Sequence, residues 1–281
     1  MRVDNPMSTP EWRAISLECK LIAQLCGAGL TSIGKADYGD GMGEYYSAFF
    51  SLSIGLERFG KLIYCLSEQR RSGVFPSDRQ LRDYGHDLTE IIASVQDIAI
   101  TSDINVSSEK PDSVICGKIV EHLSAFAAAG VGRYANFSIM RLGTVPSTFE
   151  PVTEWLKLVG EPVLDRHFRN TNAGRKALAY ASQMEISLSD TWLVMLCSED
   201  GTPIESVSGA IFRSAENKAL QKYSRFYAFT IVRWMAEIFY ELSHFLGDEE
   251  GGEYWFGQYE HFETFKVAND FGLSRKIWPL T

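Results

Sequence analysis

The sequence has no surplus of positive charge and no pair of closely spaced cysteines. Its 281 residues carry 27 lysines and arginines against 36 aspartates and glutamates, a net charge of -9. Domains whose whole surface follows nucleic acid are usually basic, so this balance counts against general DNA or RNA binding and allows only a local basic site. The five cysteines are odd in number and form no C-x-x-C. They favour free thiols in a reducing cytoplasm, where we expect the protein, over disulfides or a zinc site.

Long uninterrupted apolar runs are also missing. The amino terminus, MRVDNPMSTPEWR, has none of the apolar core of a signal peptide. The most apolar late stretch, Phe226 to Leu246, is interrupted by Arg233, Glu237 and Glu241, which argues against a membrane span. We therefore expect no membrane partner.

Alternating β-branched segments and repeats of fixed period are missing too, and apolar residues recur instead at three- and four-residue steps. A first helix is predicted to begin after the N-cap Thr9, with Pro10 in its first turn. Gly27 and Gly29 are predicted to end it. A second, long helix is predicted over Glu44–Arg71.

Further helices are predicted after Gly73, which ends the long one. Ser77 and Gln80 resemble a capping box, so the next helix starts near Asp78, bends at Gly85 and resumes as HDLTEII. Later helices follow, with a loop between two of them at SEDGTPIES (Ser198–Ser206).

The best candidate for a domain boundary is GTVPSTFEP, Gly143 to Pro151, because it combines a glycine with two prolines. The predicted fold is all-α. Residues 1–142 are expected to form one helical bundle, and residues 152–281 a C-terminal helical region packed on it.

The stretch RQLRDYGHDLTEI brings together residues that can carry chemistry. On a continuous helix, Arg79, Arg82 and His86 would share one face, with Asp83 on the same stripe. A histidine can move a proton near neutral pH, and an arginine offers a permanently charged fork for a phosphate. Together they could cleave RNA without a metal ion. The structural alternative is a solvated helix face with an Asp83–His86 pair, which spacing alone favours.

Three stretches, in this order, are similar to a known superfamily. They are SLSIGLERFGKLIYCL (Ser51–Leu66), LRDYGHDLTEII (Leu81–Ile92) and EHLSAFAAAGVGRYANF (Glu121–Phe137). Over about Ala14 to Arg141, the chain resembles the HEPN superfamily, small helical bundles found in nucleotide-handling proteins, toxins and antiviral ribonucleases. The resemblance implies a HEPN-like bundle in the first half, with a C-terminal helical extension.

The resemblance also implies roles for particular residues. Ribonuclease members carry an arginine, four to six residues and then a histidine, so His86 would be the general acid and base. Arg79 fits this spacing, with six residues between, whereas Arg82 has only three. Which arginine stabilises the phosphate therefore stays open. Active members bring two such motifs together across a dimer interface, which implies a homodimer.

Four further residues are candidates for substrate binding. Glu57 and Lys61 form an i,i+4 pair that lines the cleft of His86 or simply stabilises an exposed helix face. Asp83 and Arg133 are the other two, with a helix end as the structural alternative for Arg133. No metal-binding spacing such as H-E-x-x-H is present, so we expect neither metal nor cofactor.

Two functions are consistent with these patterns. The first is a metal-independent endoribonuclease, a toxin or phage-defence effector acting as a homodimer on RNA. The second is a non-catalytic helical module that binds a nucleotide, an RNA or a protein partner such as an antitoxin. The acidic net charge and the arginine spacing favour the second, and the histidine beside arginines favours the first.

Overall fold

The helical periodicity of the sequence is realised as helices over most of the described chain. The structure, a computed structural model, describes residues 5–39, 41–104, 106, 111, 114–128, 137, 140–141, 150–244 and 252–279. Across these ranges the regular structure consists of helices and a single two-stranded sheet. The predicted all-α class is therefore confirmed.

The first half of the described chain consists of helices, of which α2 is the longest. They are α1 (Pro10–Ile33), α2 (Met42–Ser72), α3 (Asp78–Asp83), α4 (Leu88–Thr101) and α5 (Val114–Ala127). α2 packs mainly against α1 and also contacts α4 and α5. Thr9 caps α1 by accepting a hydrogen bond from the amide of Trp12, and Gly73 ends α2, both as predicted.

The predicted end of α1 at Gly27 and Gly29 is wrong, because the helix continues to Ile33. Gly29 is buried against α2, where an added Cβ would lie 2.5 Å from Cγ of Leu52. The glycine thus allows two helices to approach closely. Tertiary packing overrides the weak helix propensity of glycine at this position.

The second half contains two long helices and several short turns. Its helices are α6 (Pro151–Trp155), α7 (Glu161–Leu164), α8 (Asn172–Leu188), α9 (Val207–His244) and α10 (Asn269–Ser274). π-helical turns cover Leu156–Gly160 and Asp165–Arg169, and 3-10 turns cover Pro6–Ser8, Gly252–Trp255 and Gln258–Phe265. The predicted boundary at Gly143 to Pro151 lies outside the described residues, except for its last two positions.

A short β-hairpin replaces part of the loop predicted at Ser198–Ser206. Strand β1 (Leu196–Cys197) pairs antiparallel with β2 (Pro203–Ile204). Each strand has only two residues, which is too short to leave an alternating pattern in the sequence. The hairpin joins α8 to α9.

Aromatic side chains connect the two halves. Phe59 of α2 stacks on Phe262 at 4.4 Å between ring centroids and meets Phe239 of α9 edge-on at 6.1 Å. The indole of Trp255 donates a hydrogen bond of 3.1 Å to the side chain of Gln69. Buried residues of both halves therefore belong to one hydrophobic core.

Candidate active site

Helix α2 and the turn before α4 bring Glu57, Lys61 and His86 together. Glu57 and Lys61 lie one helical turn apart and form an ion pair of 2.8 Å. Nδ1 of His86 lies 2.8 Å from Oε1 of Glu57 and 3.5 Å from Nζ of Lys61. Residues 25 and 29 positions apart in the chain thus form one cluster.

The short contact with Glu57 determines which ring nitrogen of His86 carries the hydrogen when the ring is neutral. An ionised carboxylate can only accept, so Nδ1 of His86 carries the hydrogen of this bond. Nδ1 then has no lone pair for Lys61, and we treat the 3.5 Å approach as a contact between neighbours. When the ring is neutral, Nε2 bears the free lone pair. The His86 side chain is 75% exposed, so the ring is open to a ligand.

Glu57 is held in its charged form. Burial works to raise the pKa of its carboxyl, but hydrogen bonds from Lys61 and His86 outweigh burial and lower it. The carboxylate therefore persists below neutral pH and continues to orient the imidazole. A carboxylate that holds one ring nitrogen of a histidine commonly orients the other nitrogen for proton transfer.

The backbone around His86 is positioned by specific local contacts. Gly85 has φ of 82°, a left-handed conformation that glycine adopts without strain. Asp87 caps α4 by accepting hydrogen bonds from the amides of Thr89 and Glu90, at 2.8 and 3.4 Å. The hydroxyl of Ser124 on α5 donates to Asp87 at 3.1 Å. It also accepts from the amide of Leu88 at 3.0 Å.

An open pocket of about 500 Å³ lies beside His86, between the start of α4 and the end of α5. Its polar lining includes Asp87, Thr89, Glu121 and Ser124. Two carboxylates and two hydroxyls therefore line this pocket, and those of Asp87 and Ser124 are already engaged at the start of α4.

The predicted common face of Arg79, Arg82 and His86 is wrong. Helix α3 ends at Asp83, and α4 begins only at Leu88, so His86 lies in the turn between them. The helix stops because Gly85 is left-handed and Asp87 starts a new helix with its own cap.

The other residues predicted for the site lie on the surface of α3. Arg79 and Asp83 form a 3.7 Å ion pair with side chains 87% and 71% exposed. Arg82 is exposed as well. In the described part of the chain, the polar contacts of His86 are with Glu57 and Lys61 and include neither arginine. Arg133 lies outside the described residues.

Sequence reasoning missed a buried ionic cluster near the hairpin. Glu199 has a fully buried side chain and pairs with Arg213 at 2.6 Å. Arg213 also contacts Glu216 at 3.2 Å, and Glu216 pairs with Arg169 at 2.7 Å. Tyr45 of α2 donates to Glu199 at 3.1 Å. The cluster joins residues that are mostly far apart in the chain. Only Arg213 and Glu216, three positions apart, have a spacing from which the sequence alone could have suggested a pair.

A second pocket of about 330 Å³ borders this cluster. Arg213, Asp200 and Glu161 line it together with Leu156 and Ile204. Its one arginine is already paired with two carboxylates, so the pocket has little unsatisfied positive charge. We therefore regard the cluster as structural.

Comparisons with protein-family models, with curated proteins and with solved structures give no match. Within the described ranges, no group of three or more His, Cys, Asp or Glu side chains is arranged to hold a metal ion. None of the helices in those ranges combines the length and apolar character needed to cross a bilayer.

Proposed function

We propose that the protein is a metal-independent endoribonuclease of HEPN type, with His86 as its general acid and base. The observation that carries the proposal is the 2.8 Å hydrogen bond between Glu57 and Nδ1 of His86, beside an open pocket. It leaves Nε2 as the proton acceptor on an exposed ring.

The chemistry needs two proton transfers. Nε2 of His86 removes the proton of a ribose 2′-hydroxyl, and the 2′-oxygen attacks the adjacent phosphorus. The bond from phosphorus to the 5′-oxygen breaks, and that oxygen takes up a proton as it leaves. The products are a 2′,3′-cyclic phosphate and a free 5′-hydroxyl. In a homodimer, the His86 side chains of two copies would divide these transfers between them.

Positive charge near the phosphorus would stabilise the transition state. Lys61 is the cation nearest to His86 among the contacts described, and its partner Glu57 offsets its charge. Arg79 or Arg82 would have to supply the remainder from α3. Both are exposed, and the proposal requires their long side chains to rotate toward His86.

The test is cleavage of a mixed RNA pool in the presence of EDTA. Wild type should leave 2′,3′-cyclic phosphate ends, and His86→Ala should be slower by roughly 100-fold or more, as expected for loss of a general acid–base group. Glu57→Gln should show an intermediate loss, because the amide still accepts a hydrogen bond but has no charge. His244→Ala, which removes an exposed histidine from α9, is the matched control and should cleave like wild type. Equal cleavage by wild type and His86→Ala would refute the proposal.

As a toxin or phage-defence effector, the wild-type chain should arrest growth when it is expressed in a bacterial host. His86→Ala at the same expression level should not. Growth arrest by both proteins would show that the toxicity does not depend on His86.

The second candidate is a non-catalytic module that binds a nucleotide, an RNA or a protein partner such as an antitoxin. The lining of the His86 pocket favours it, because Asp87 and Glu121 would repel a phosphate and neither candidate arginine lines the pocket. Absence of cleavage by wild type, together with RNA binding that weakens steeply as salt rises, would support an RNA-binding module. Absence of both would favour a protein partner.

A further inference from the structure

His167 packs against two tyrosines of α9, in a part of the molecule that the His86 site does not use. Its half-buried ring stacks on Tyr223, with 3.9 Å between the ring centroids and 7° between the planes. Its Nε2 lies 2.8 Å from the hydroxyl of Tyr227, which is one helical turn further along α9. His167 itself lies in the π-helical turn Asp165–Arg169, and such turns occur frequently at functional sites. The cluster therefore combines a hydrogen-bonded pair with a backbone feature of functional sites.

The His167–Tyr227 pair keeps one donor hydrogen uncommitted in either tautomer of the neutral imidazole. If the tyrosine hydroxyl donates to Nε2, the hydrogen of the ring is on Nδ1. If Nε2 donates to the tyrosine oxygen instead, the hydrogen of the hydroxyl is left over. In both cases the pair has one donor for which the described chain supplies no acceptor.

Two exposed cations act on this pair. Arg166 directly precedes His167, and the ammonium of Lys222 lies 5.3 Å from the centroid of the Tyr223 ring. Burial, followed by the positive charges of Arg166 and Lys222, lowers the pKa of His167, so the ring is neutral at neutral pH. Burial raises the pKa of Tyr227, and the positive charge of Arg166 opposes that rise. Arg166 therefore acts on both members of the pair, and Lys222 acts on the histidine.

Neither cation has a carboxylate partner in the described part of the chain. Arg169, in the same π-helical turn as Arg166, shows the contrast. It is paired with three carboxylates, those of Glu161, Asp165 and Glu216. Arg166 and Lys222 form no such pair with any described residue, and both charges that act on His167 are positive. A local excess of positive charge thus exists on a chain whose net charge is -9.

We propose that Arg166, His167, Lys222 and Tyr227 form a binding site for a phosphate monoester. We call these four residues the His167 site. Near pH 7 a phosphate monoester carries a charge of about -1.5 to -2 and three acceptor oxygens. Two cations match a charge of this size. The arginine fork and the lysine ammonium donate to the oxygens, and the uncommitted hydrogen of the pair supplies one further bond. A carboxylate ligand, with a single charge, would leave one of the cations unmatched.

Two kinds of ligand carry this group, a free nucleoside monophosphate and an RNA strand with a 5′-phosphate. The chemistry that recognises the phosphate is the same in both. The His167 site shares no residue with the His86 site. The inference therefore does not rest on the proposed nuclease, and each can fail without the other.

Isothermal titration calorimetry of the full chain with inorganic phosphate and with AMP is the first test, at constant ionic strength in a buffer free of phosphate. Wild type should bind both, whereas adenosine should not bind. Arg166→Gln/Lys222→Gln should raise both Kd values roughly tenfold or more, because two charge-assisted contacts are lost. The matched control is Arg175→Gln/Lys176→Gln on α8, which removes the same charge from two exposed positions and should bind like wild type.

The His167–Tyr227 pair has a test of its own. His167→Phe and Tyr227→Phe each keep a ring and leave one donor, so each should bind AMP nearly as well as wild type. The combined variant has neither donor and should bind roughly tenfold more weakly. Circular dichroism of all these variants should match that of wild type. A combined variant that binds like wild type would remove the pair from the site.

Two results of the titrations would overturn the proposal. They are failure of wild type to bind both inorganic phosphate and AMP, and unchanged Kd values in Arg166→Gln/Lys222→Gln. Short 2′-O-methyl RNA, which lacks the 2′-hydroxyl that the proposed nuclease needs, then separates the two sources of the phosphate. Tighter binding of a 5′-phosphorylated strand than of AMP would assign the site to an RNA end, and equal binding would assign it to a free nucleotide. A 5′-hydroxyl strand that binds as tightly as the phosphorylated one would also overturn the proposal.

Discussion

The hydroxyl of Tyr45 donates a 3.1 Å hydrogen bond to Glu199, although the two residues are 154 positions apart. The contact ties α2 to the hairpin inside the bundle. Burial, followed by the nearby Glu199 carboxylate, raises the pKa of Tyr45 well above its ordinary value. Tyr45 therefore remains protonated through the neutral range and continues to donate to the buried carboxylate.

Removal of the cation that neutralises Glu199 should destabilise the protein strongly. In Arg213→Met, the fully buried carboxylate of Glu199 loses its partner, the guanidinium at 2.6 Å. We expect the free energy of unfolding to fall by about 3–5 kcal/mol, as for other broken buried pairs. Urea unfolding at neutral pH, followed by circular dichroism, measures this change.

The matched control is Arg79→Met, which breaks the exposed 3.7 Å pair with Asp83. Its unfolding midpoint should equal that of wild type, because exposed ion pairs contribute little. Adding Glu199→Leu to Arg213→Met should restore part of the lost stability, since an apolar replacement of the pair removes the uncompensated charge. Equal midpoints for Arg213→Met and Arg79→Met would show that the cluster is not structurally important.

Local signals in the sequence predicted much of the fold. The cap at Thr9, the capping box at Ser77 and the end of α2 at Gly73 each depend on a few adjacent residues. The extension of α1 past Gly29 could not be predicted from adjacent residues. It depends on the approach of Leu52 from another helix, and local helix propensity carries no information about such a contact.

The candidate site was predictable only in part. The sequence offered Glu57 and Lys61 as a pair and His86 as a proton carrier, and the structure brings these three together. The arginine assignment relied on one continuous helical face, which the turn at Gly85 removes. The Glu199–Arg213 pair, fourteen residues apart across a hairpin, matches no helical or strand spacing.

The stability of the protein should fall at mildly acidic pH because of His122. Its ring is buried between Phe49 and Trp155, with centroids at 4.6 and 5.2 Å. Burial lowers the pKa of His122 to about 3, whereas an unfolded histidine has a pKa of about 6.5. Below pH 6.5 the unfolded chain binds a proton that the folded chain does not. The free energy of unfolding should then fall by up to ~1.4 kcal/mol per pH unit, down to about pH 3.

His122→Phe isolates this effect, because it keeps an aromatic ring at the position and removes the titrating group. Urea unfolding of both proteins at about pH 7 and about pH 5 gives the two differences to compare. The variant should lose less stability than wild type, whatever its absolute stability at neutral pH. Parallel losses would mean that His122 takes up its proton over the same pH range in the folded and the unfolded chain, so that burial does not lower its pKa.

Gly60 should not tolerate a larger residue. A Cβ at this position would lie 2.1 Å from Cγ2 of Ile91, where α2 and α4 cross. Gly60→Ala should therefore destabilise the protein by about 1–3 kcal/mol through overpacking. Gly117→Ala on α5, where an added Cβ meets nothing within 4 Å, should instead stabilise by up to ~1 kcal/mol through helix propensity. Thermal unfolding of both variants tests the opposite signs, and a stabilised Gly60→Ala would contradict the close helix crossing.

The cap at Asp87 should matter both for α4 and for the position of His86. Asp87→Ala removes the acceptor for the amides of Thr89 and Glu90 and should cost about 1 kcal/mol of stability. Asp87→Asn keeps a capping oxygen and should stay close to wild type. Hydrogen exchange should show faster exchange of the Thr89 and Glu90 amides in the alanine variant alone, since only there do they lose their acceptor. If Asp87→Asn exchanged as fast as Asp87→Ala, the charge of Asp87 rather than its capping geometry would hold the turn that presents His86.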